Sequence, residues 1–490
     1  MEGSLKHYID GKWLESRSGV YHDVYNPALG RIIGRTPAAH PDEVEQAAQA
    51  AFRAAQGWGE IPAGQRIQYL FRMKRILENH ADEVARICTG ECGKTLAESR
   101  GEIIRALENI EVACGIPALM QGDFSEEIAT GVDEFLIRQP LGPTACITPF
   151  NFPVMIPFWF LPYALACGNT CIVKPSEKTP MSMTRIFELL EELRLPPGVL
   201  NLLQGGRETA EALIDHSLIP AISFVGSSSA ARRVYQRAAA RGKRVQAQGG
   251  AKNAVVVMAD ADRETTIRII ADSAFGCAGQ RCLAASLVYP VGDAAEWLVP
   301  GLVEEARTRT LGDGTDGRTA VGPLISQESR QRIEGMIGNA LAEGAEILLD
   351  GRGARVEGRE EGYFLGPTIL TSIRPESTIH RTELFGPVLG ILPVPTLESA
   401  IALINGAAYG NAASLFTRSG SAARMFRHLA QAGNIGINIG IAAPIAYFPF
   451  SGWKESFFGD LHAQSRHSVE FFTQTKIVME RWHEEWTRKF

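Results

Sequence analysis

No two of the chain's eight cysteines are spaced as Cys-x-x-Cys, and several lie inside apolar stretches such as Ala145 to Val173. This pattern argues against a disulfide framework and points to a reducing, cytoplasmic compartment. The opening residues, Met1-Glu-Gly-Ser-Leu-Lys-His-Tyr-Ile-Asp10, are polar and acidic, so no export signal is expected. There is no basic run that would track a phosphate backbone. The 49 basic and 55 acidic side chains give a formal net charge of −6, and nucleic acid is not an expected partner. Gln139 to Val173 carries no charge at all, but prolines at 140, 143, 149, 153, 157 and 162 interrupt it. A spanning helix needs about 20 continuous apolar residues, so the segment reads as buried protein and no membrane association is expected. Internal repeats, low-complexity linkers and a metal-binding cluster are missing too.

What is present is a large apolar fraction, 45% of 490 residues, enough for roughly three ordinary domains. Residues 43–57 and 62–88 read as amphipathic helices, and a third runs from Thr95 to about Val112. From residue 143 short apolar strands alternate with helices. Strands are predicted at 144–148, 170–173, 199–203, 221–224 and 254–258, and helices at 157–167, 181–193, 207–215 and 228–240. That rhythm predicts a parallel α/β sheet with ligands at the strand carboxyl ends. A second α/β region begins near Asn253, with a helix after Asp262, strands at 284–290, 388–393 and 413–416, and helices at 294–308, 328–343 and 397–405. Val469 to Val478 reads as an exposed strand that pairs with another chain or with the hairpin-like region before Gln139.

Three turns carry chemistry. Cys282, in Phe275-Gly-Cys-Ala-Gly-Gln-Arg-Cys282, sits beside glycines and an arginine, a setting for a covalent nucleophile as well as for an inert buried thiol. Asn151, in Thr148-Pro-Phe-Asn-Phe-Pro153, has rigid neighbours that fix its amide as an oxyanion donor or as part of a structural turn. The strand at 170–173 ends in Lys174-Pro-Ser-Glu177, an ammonium and a carboxylate suited to ribose hydroxyls. The strand at 221–224 runs into Val225-Gly226-Ser227, where glycine permits close approach and the next helix offers amides to phosphate. No Gly-x-Gly-x-x-Gly run follows a strand, so an adenine dinucleotide rests on these two turns together.

In combination and order, Pro149-Phe-Asn-Phe-Pro153, Lys174-Pro-Ser-Glu177, Phe224-Val-Gly-Ser227, Gly279-Gln-Arg-Cys282 and Glu383-Leu-Phe-Gly-Pro387 resemble the aldehyde dehydrogenase superfamily. The resemblance implies an α/β fold with a Rossmann-type NAD-binding domain (1–127 and 146–252), an α/β catalytic domain (253–466) and a small oligomerisation element (128–145 and 467–490). It implies Cys282 as nucleophile and Asn151 as oxyanion amide. Phe150, Lys174, Glu177, Gly226, Ser227, Glu383 and Phe385 are implied as NAD contacts, in a homodimer or homotetramer.

Hydrolytic members carry a glutamate at the position of Gln248, where a carboxylate activates water. A glutamine amide cannot accept that proton. Gly250-Ala-Lys-Asn253, Phe471-Phe-Thr-Gln-Thr-Lys476 and Phe150-Asn-Phe-Pro-Val-Met-Ile-Pro157 are similar to the CoA-acylating methylmalonate-semialdehyde/malonate-semialdehyde dehydrogenase branch. That likeness implies coenzyme A as acyl acceptor and a small acidic aldehyde as substrate, its carboxylate clamped by Arg105 and Arg281, since guanidinium groups bind carboxylates in a directional fork. Two departures stand out: Gln248 is not the asparagine of that branch, and Gly433 to Phe450 is less proline-rich. Two other readings stay open. One is a hydrolytic dehydrogenase using another base such as Glu111; the other is a catalytically silent dinucleotide-binding protein.

Overall fold

The computed structural model describes residues 3–482. Residues 1–2 and 483–490, the ends of two expected segments, lie outside it. In the first large sheet the strand order is Lys12–Leu14, His7–Ile9, Leu200–Leu202, Thr170–Lys174, Pro143–Ile147, Ala221–Val225, Arg244–Gln248, Phe457–Gly459. The five strands from Leu200–Leu202 to Arg244–Gln248 are parallel and the flanking ones antiparallel. Thr170–Lys174 and Pro143–Ile147 are buried along their whole length, as strands covered by helices on both faces must be. One face packs on the helices Ala63–Asn79, Leu96–Cys114, Leu161–Cys167 and Met181–Leu190, the other on Pro41–Glu60, Arg207–Asp215 and Ser228–Ala239.

The second sheet runs Glu346–Leu349, Thr368–Thr371, Val388–Ile391, Ala285–Pro290, Asn253–Val257, Ala412–Phe416, Asn434–Ile437, parallel except at its first pair, around one apolar core. The fold class is therefore as expected: α/β, with a Rossmann-like sheet and a second catalytic α/β unit.

Several local expectations need correction. The helix expected over 62–88 breaks at His80 into Ala63–Asn79 and Ala81–Cys92, and the one over 157–167 is two short helices, Met155–Phe158 and Leu161–Cys167, with Pro162 in the first turn of the second. Arg244–Gln248 was not expected as a strand because its glutamines interrupt the apolar run. The sheet buries them anyway, and Gln246 Nε2 donates to Ser223 Oγ at 2.8 Å. The tail is not one strand: Ser465–Phe472 is helical, and Thr473–Arg481 then pairs antiparallel with Val132–Pro140 of the same chain. The sheets also cross the expected boundaries. Phe457–Gly459 returns to the first sheet, the hairpin begins at Phe124, and Pro143–Ile147 is a central strand of the first sheet. Among the described residues no helix is long and apolar enough to cross a membrane, and no cluster is arranged to hold a metal.

Asn169 ties the three-stranded arm to the body. Its buried side chain accepts from Leu141 N (2.7 Å) and Gly142 N (3.0 Å) and donates to Phe472 O (2.8 Å). Asn169→Ala strands these buried groups, each at about 1–3 kcal/mol. The variant is expected to unfold at a lower temperature and to exchange the amides of Thr473–Arg481 faster. Unchanged exchange in that strand would rule out the tie.

Candidate active site

A cavity of about 950 Å³ lies where the carboxyl ends of the parallel strands face the second α/β unit. Phe150 and Asn151 enter it after Pro143–Ile147, Lys174 and Glu177 at the end of Thr170–Lys174, and Gly226 and Ser227 after Ala221–Val225. Cys282, Glu383 and Phe385 come from the opposite unit. The sequence places these residues in five separate motifs, and the fold gathers them around one cavity.

The Cys282 turn follows the helix Arg263–Phe275, whose N-terminus is capped by Asp262. It passes through left-handed backbone at Cys277 (φ 49°), Ala278 (φ 51°) and Gly279 (φ 68°). A Cβ on Gly279 would lie 2.1 Å from Gly386 O, so glycine there lets the Cys282 turn pack on the Glu383–Pro387 segment. The Cys282 carbonyl accepts from two side-chain amides, Asn253 Nδ2 (2.8 Å) and Asn411 Nδ2 (2.7 Å). The backbone at the sulfur is thus fixed from both sides. Some Cys282 surface faces the cavity, but protein surrounds it. Burial, and next the Glu383 carboxylate, push its thiol pKa up to about 12 against the pull of the Cys282 and Leu283 N–H groups. The free site therefore holds a thiol at neutral pH.

Asn151 Nδ2 donates to Gln280 O at 2.9 Å, two residues before Cys282. An amide nitrogen carries two hydrogens. The second one makes no bond among the described residues.

At the cofactor end, Lys174 Nζ donates to Pro175 O (2.6 Å) and Gly205 O (2.8 Å), and burial lowers its pKa to about 8. Ser227 caps the helix Ser228–Ala239, whose N-terminus opens on the cavity and suits a diphosphate. Glu383 Oε1 accepts from Ala251 N at 3.0 Å, and burial raises its pKa to about 7. A Cβ on Gly250 would meet Glu383 Oε2 at 2.3 Å, so any larger residue there would displace this carboxylate. Phe150 and Phe385 meet edge-on at 5.8 Å. Two polar ends separated by a helix N-terminus fit an adenine dinucleotide, with Lys174 and Glu177 suited to one ribose and Glu383 to the other.

Gln248 ends the strand Arg244–Gln248, fully buried. Its Nε2 donates to Phe450 O at 2.8 Å, while its Oε1 has no hydrogen-bond partner. Arg281 and Arg105 do not line the cavity. Arg281 Nη2 pairs with Glu98 Oε1 (2.9 Å) and its Nε lies 3.1 Å from Cys277 Sγ; Arg105 Nη1 pairs with Glu108 (2.8 Å) on a partly exposed helix face. Glu111 pairs with Lys74 at 3.2 Å, is half exposed and is absent from the cavity, so it is no base there.

The pattern of the Aldehyde dehydrogenase family matches residues 13–478. This chain belongs to the aldehyde dehydrogenase family. Within the family it is 45% identical over 480 residues to malonate-semialdehyde dehydrogenase 1 of Geobacillus thermodenitrificans (strain NG80-2), covering 98% of this chain and 99% of that one. The crystal structure of methylmalonate-semialdehyde dehydrogenase from Oceanimonas doudoroffii superposes with a TM-score of 0.97 at 41% identity, covering 99% of each chain. A Sinorhizobium meliloti 1021 protein described by the same enzyme name and complexed with NAD gives a TM-score of 0.97 at 38% identity, also covering 99% of each chain.

Four residues around this aldehyde dehydrogenase site escaped sequence reasoning: Lys94, Glu102, Asn253 and Asn411. Asn253 stood at the end of the Gly250-Ala-Lys-Asn253 motif, whereas the others carry no local signal. The high Cys282 pKa predicts a measurable reactivity profile. Iodoacetamide alkylation of Cys282 in the free enzyme, followed on its peptide by mass spectrometry, is expected to rise about tenfold per pH unit up to pH 10. A plateau below pH 9 would show a thiolate already formed.

Proposed function

We propose that this chain oxidises malonate semialdehyde or methylmalonate semialdehyde with NAD and passes the acyl group to coenzyme A, giving acetyl-CoA or propionyl-CoA. The observation that carries the reading is that Cys282 and Asn151 share one cavity while position 248, at the end of the strand Arg244–Gln248, holds a glutamine and not a carboxylate. The names of its relatives support the same substrates.

The Cys282 sulfur adds to the aldehyde carbon as its proton passes to solvent water, and the new oxyanion is held by the free Asn151 N–H and the Cys282 backbone N–H. NAD, when bound, supplies the acceptor for the hydride that turns this adduct into a thioester. Loss of carbon dioxide breaks the bond between the substrate's Cα and its carboxyl carbon, and the carbon left behind takes a proton. The same oxyanion donors suit the enolate oxygen of that step. Gln248 takes no proton from water, so the thioester waits for the coenzyme A thiol, whose attack releases acyl-CoA and returns the Cys282 sulfur. Arg105 and Arg281 lie outside the cavity and hold Glu108 and Glu98, so the clamp requires a substrate carboxylate that reaches past the cavity lining and displaces those acidic partners. The exposed apolar side chains Phe124, Ile477 and Met479 on the three-stranded arm support a homodimer or homotetramer. A cytoplasmic, reducing setting suits the free thiols.

Incubation with NAD and either semialdehyde is expected to give one burst of NADH without coenzyme A, and acetyl-CoA or propionyl-CoA by mass spectrometry once it is added. C282A abolishes both. Sustained release of free acid without coenzyme A would favour the hydrolytic reading, and no burst with any aldehyde would favour a silent dinucleotide-binding protein. R105A and R281A are expected to impair acidic aldehydes at least tenfold more than neutral aldehydes of equal length; equal losses would remove the clamp.

Glu383 adds a pH dependence. With its pKa near 7, the carboxylate needed to accept ribose hydroxyls is present above pH 7 and lost below it. The KM for NAD is expected to climb as pH falls through 7, and Glu383→Gln to flatten that rise. A wild-type profile flat from pH 8 to 6 would remove this role.

A further inference from the structure

Asn151 can serve an oxyanion only if its amide is held to a fraction of an ångström, yet it stands in a loop between a strand and a short helix. Two buried charges fix that loop. Lys94 Nζ donates to Asn151 O at 3.0 Å and stands 4.4 Å over the Phe152 ring. Glu102 Oε1 accepts from Val154 N (2.7 Å) and Met155 N (2.8 Å), while its Oε2 pairs directly with Lys94 and accepts weakly from Cys88 Sγ at 3.4 Å. Cys92 Sγ also lies 3.7 Å from Asn151 O. The Lys94 and Glu102 side chains are 2% and 0% exposed.

Such a pair is poorly explained by stability. Burying two charges costs about as much as their attraction returns, and apolar replacements of similar volume are often as stable. What apolar residues could not supply is the set of directed bonds to Asn151 O, Val154 N and Met155 N.

The same helix also reaches the nucleophile. Glu98, one turn before Glu102 on Leu96–Cys114, accepts from Thr95 N (2.9 Å) in the helix's capping box, from Cys277 N (2.6 Å) and from Arg281 Nη2 (2.9 Å). Two turns of one capped helix therefore grip both the oxyanion loop and the Cys282 turn.

We propose that the Lys94–Glu102 pair is a positioning device for the reaction: through the backbone of residues 151–155 it sets where the Asn151 amide points relative to Cys282. This rests on the oxyanion role given to Asn151 above. The test is a double-mutant cycle on the rate constant of the NADH burst with malonate semialdehyde, without coenzyme A. It compares wild type, N151A, K94M, K94M/N151A, E102Q and E102Q/N151A.

K94M and E102Q are each expected to slow the burst at least tenfold while the KM for NAD stays within about twofold. In the N151A background neither is expected to slow it more than about twofold further, because the amide they aim is gone. Losses that multiply in the double variants, or a normal burst in K94M and E102Q, overturn the positioning role alone. A normal burst in N151A overturns the oxyanion role and the positioning role together. If K94M fails to fold, E102Q decides, since its amide oxygen still accepts from Val154 and Met155 but no longer neutralises Lys94.

Discussion

The contact on which the site depends is the docking of one helix N-terminus, Thr95 to Glu102, between two loops that approach it from different sheets. Glu98 reaches the turn before Cys282, and Lys94 with Glu102 reaches the loop of Asn151. Cys282 belongs to the second α/β unit and Asn151 to the first. The helix is packed on the first sheet, and the bonds of Glu98 carry it across to the turn of the second unit that precedes Cys282.

Burial gives the cavity its electrical character. Desolvation penalises whichever form of a group is charged. The Cys282 thiol and the Glu383 carboxyl are accordingly pushed up and the Lys174 ammonium down, all toward neutrality. Near neutral pH the free site thus holds the Cys282 sulfur as an uncharged thiol and Glu383 close to half ionised, while Lys174 is still mostly protonated. Gln248 fits this pattern, since a glutamate in its place would add a buried carboxylate beside the Phe450 carbonyl that Gln248 now donates to.

Much of the fold was legible because its signals are local. The short apolar strands at 144–148, 170–173 and 221–224 appear within a residue or so of their expected positions, and the Asp262 cap marks the helix that leads to Cys282. Arg244–Gln248 was not legible, because its β-conformation comes from being paired between two other strands and not from its own pattern. The tail is ambiguous for a related reason. Val469 and Phe472 suit either a strand or a helix, and packing against the helix Leu161–Cys167 selects the helix.

The sequence by itself determined the family and the residue types at its motifs, because ordered motifs are what chemistry leaves in a chain: a thiol at 282, an amide at 151, a glutamine at 248. Tertiary structure alone decided their surroundings. It put Arg281 on Glu98 and Arg105 on Glu108, gave the Cys282 carbonyl to Asn253 and Asn411, and hid Lys94 and Glu102 beneath Asn151. These partners lie up to 183 residues apart in the chain. Hydrogen bonds and ion pairs act over a few ångströms of space whatever the separation in sequence, so no local pattern announces them.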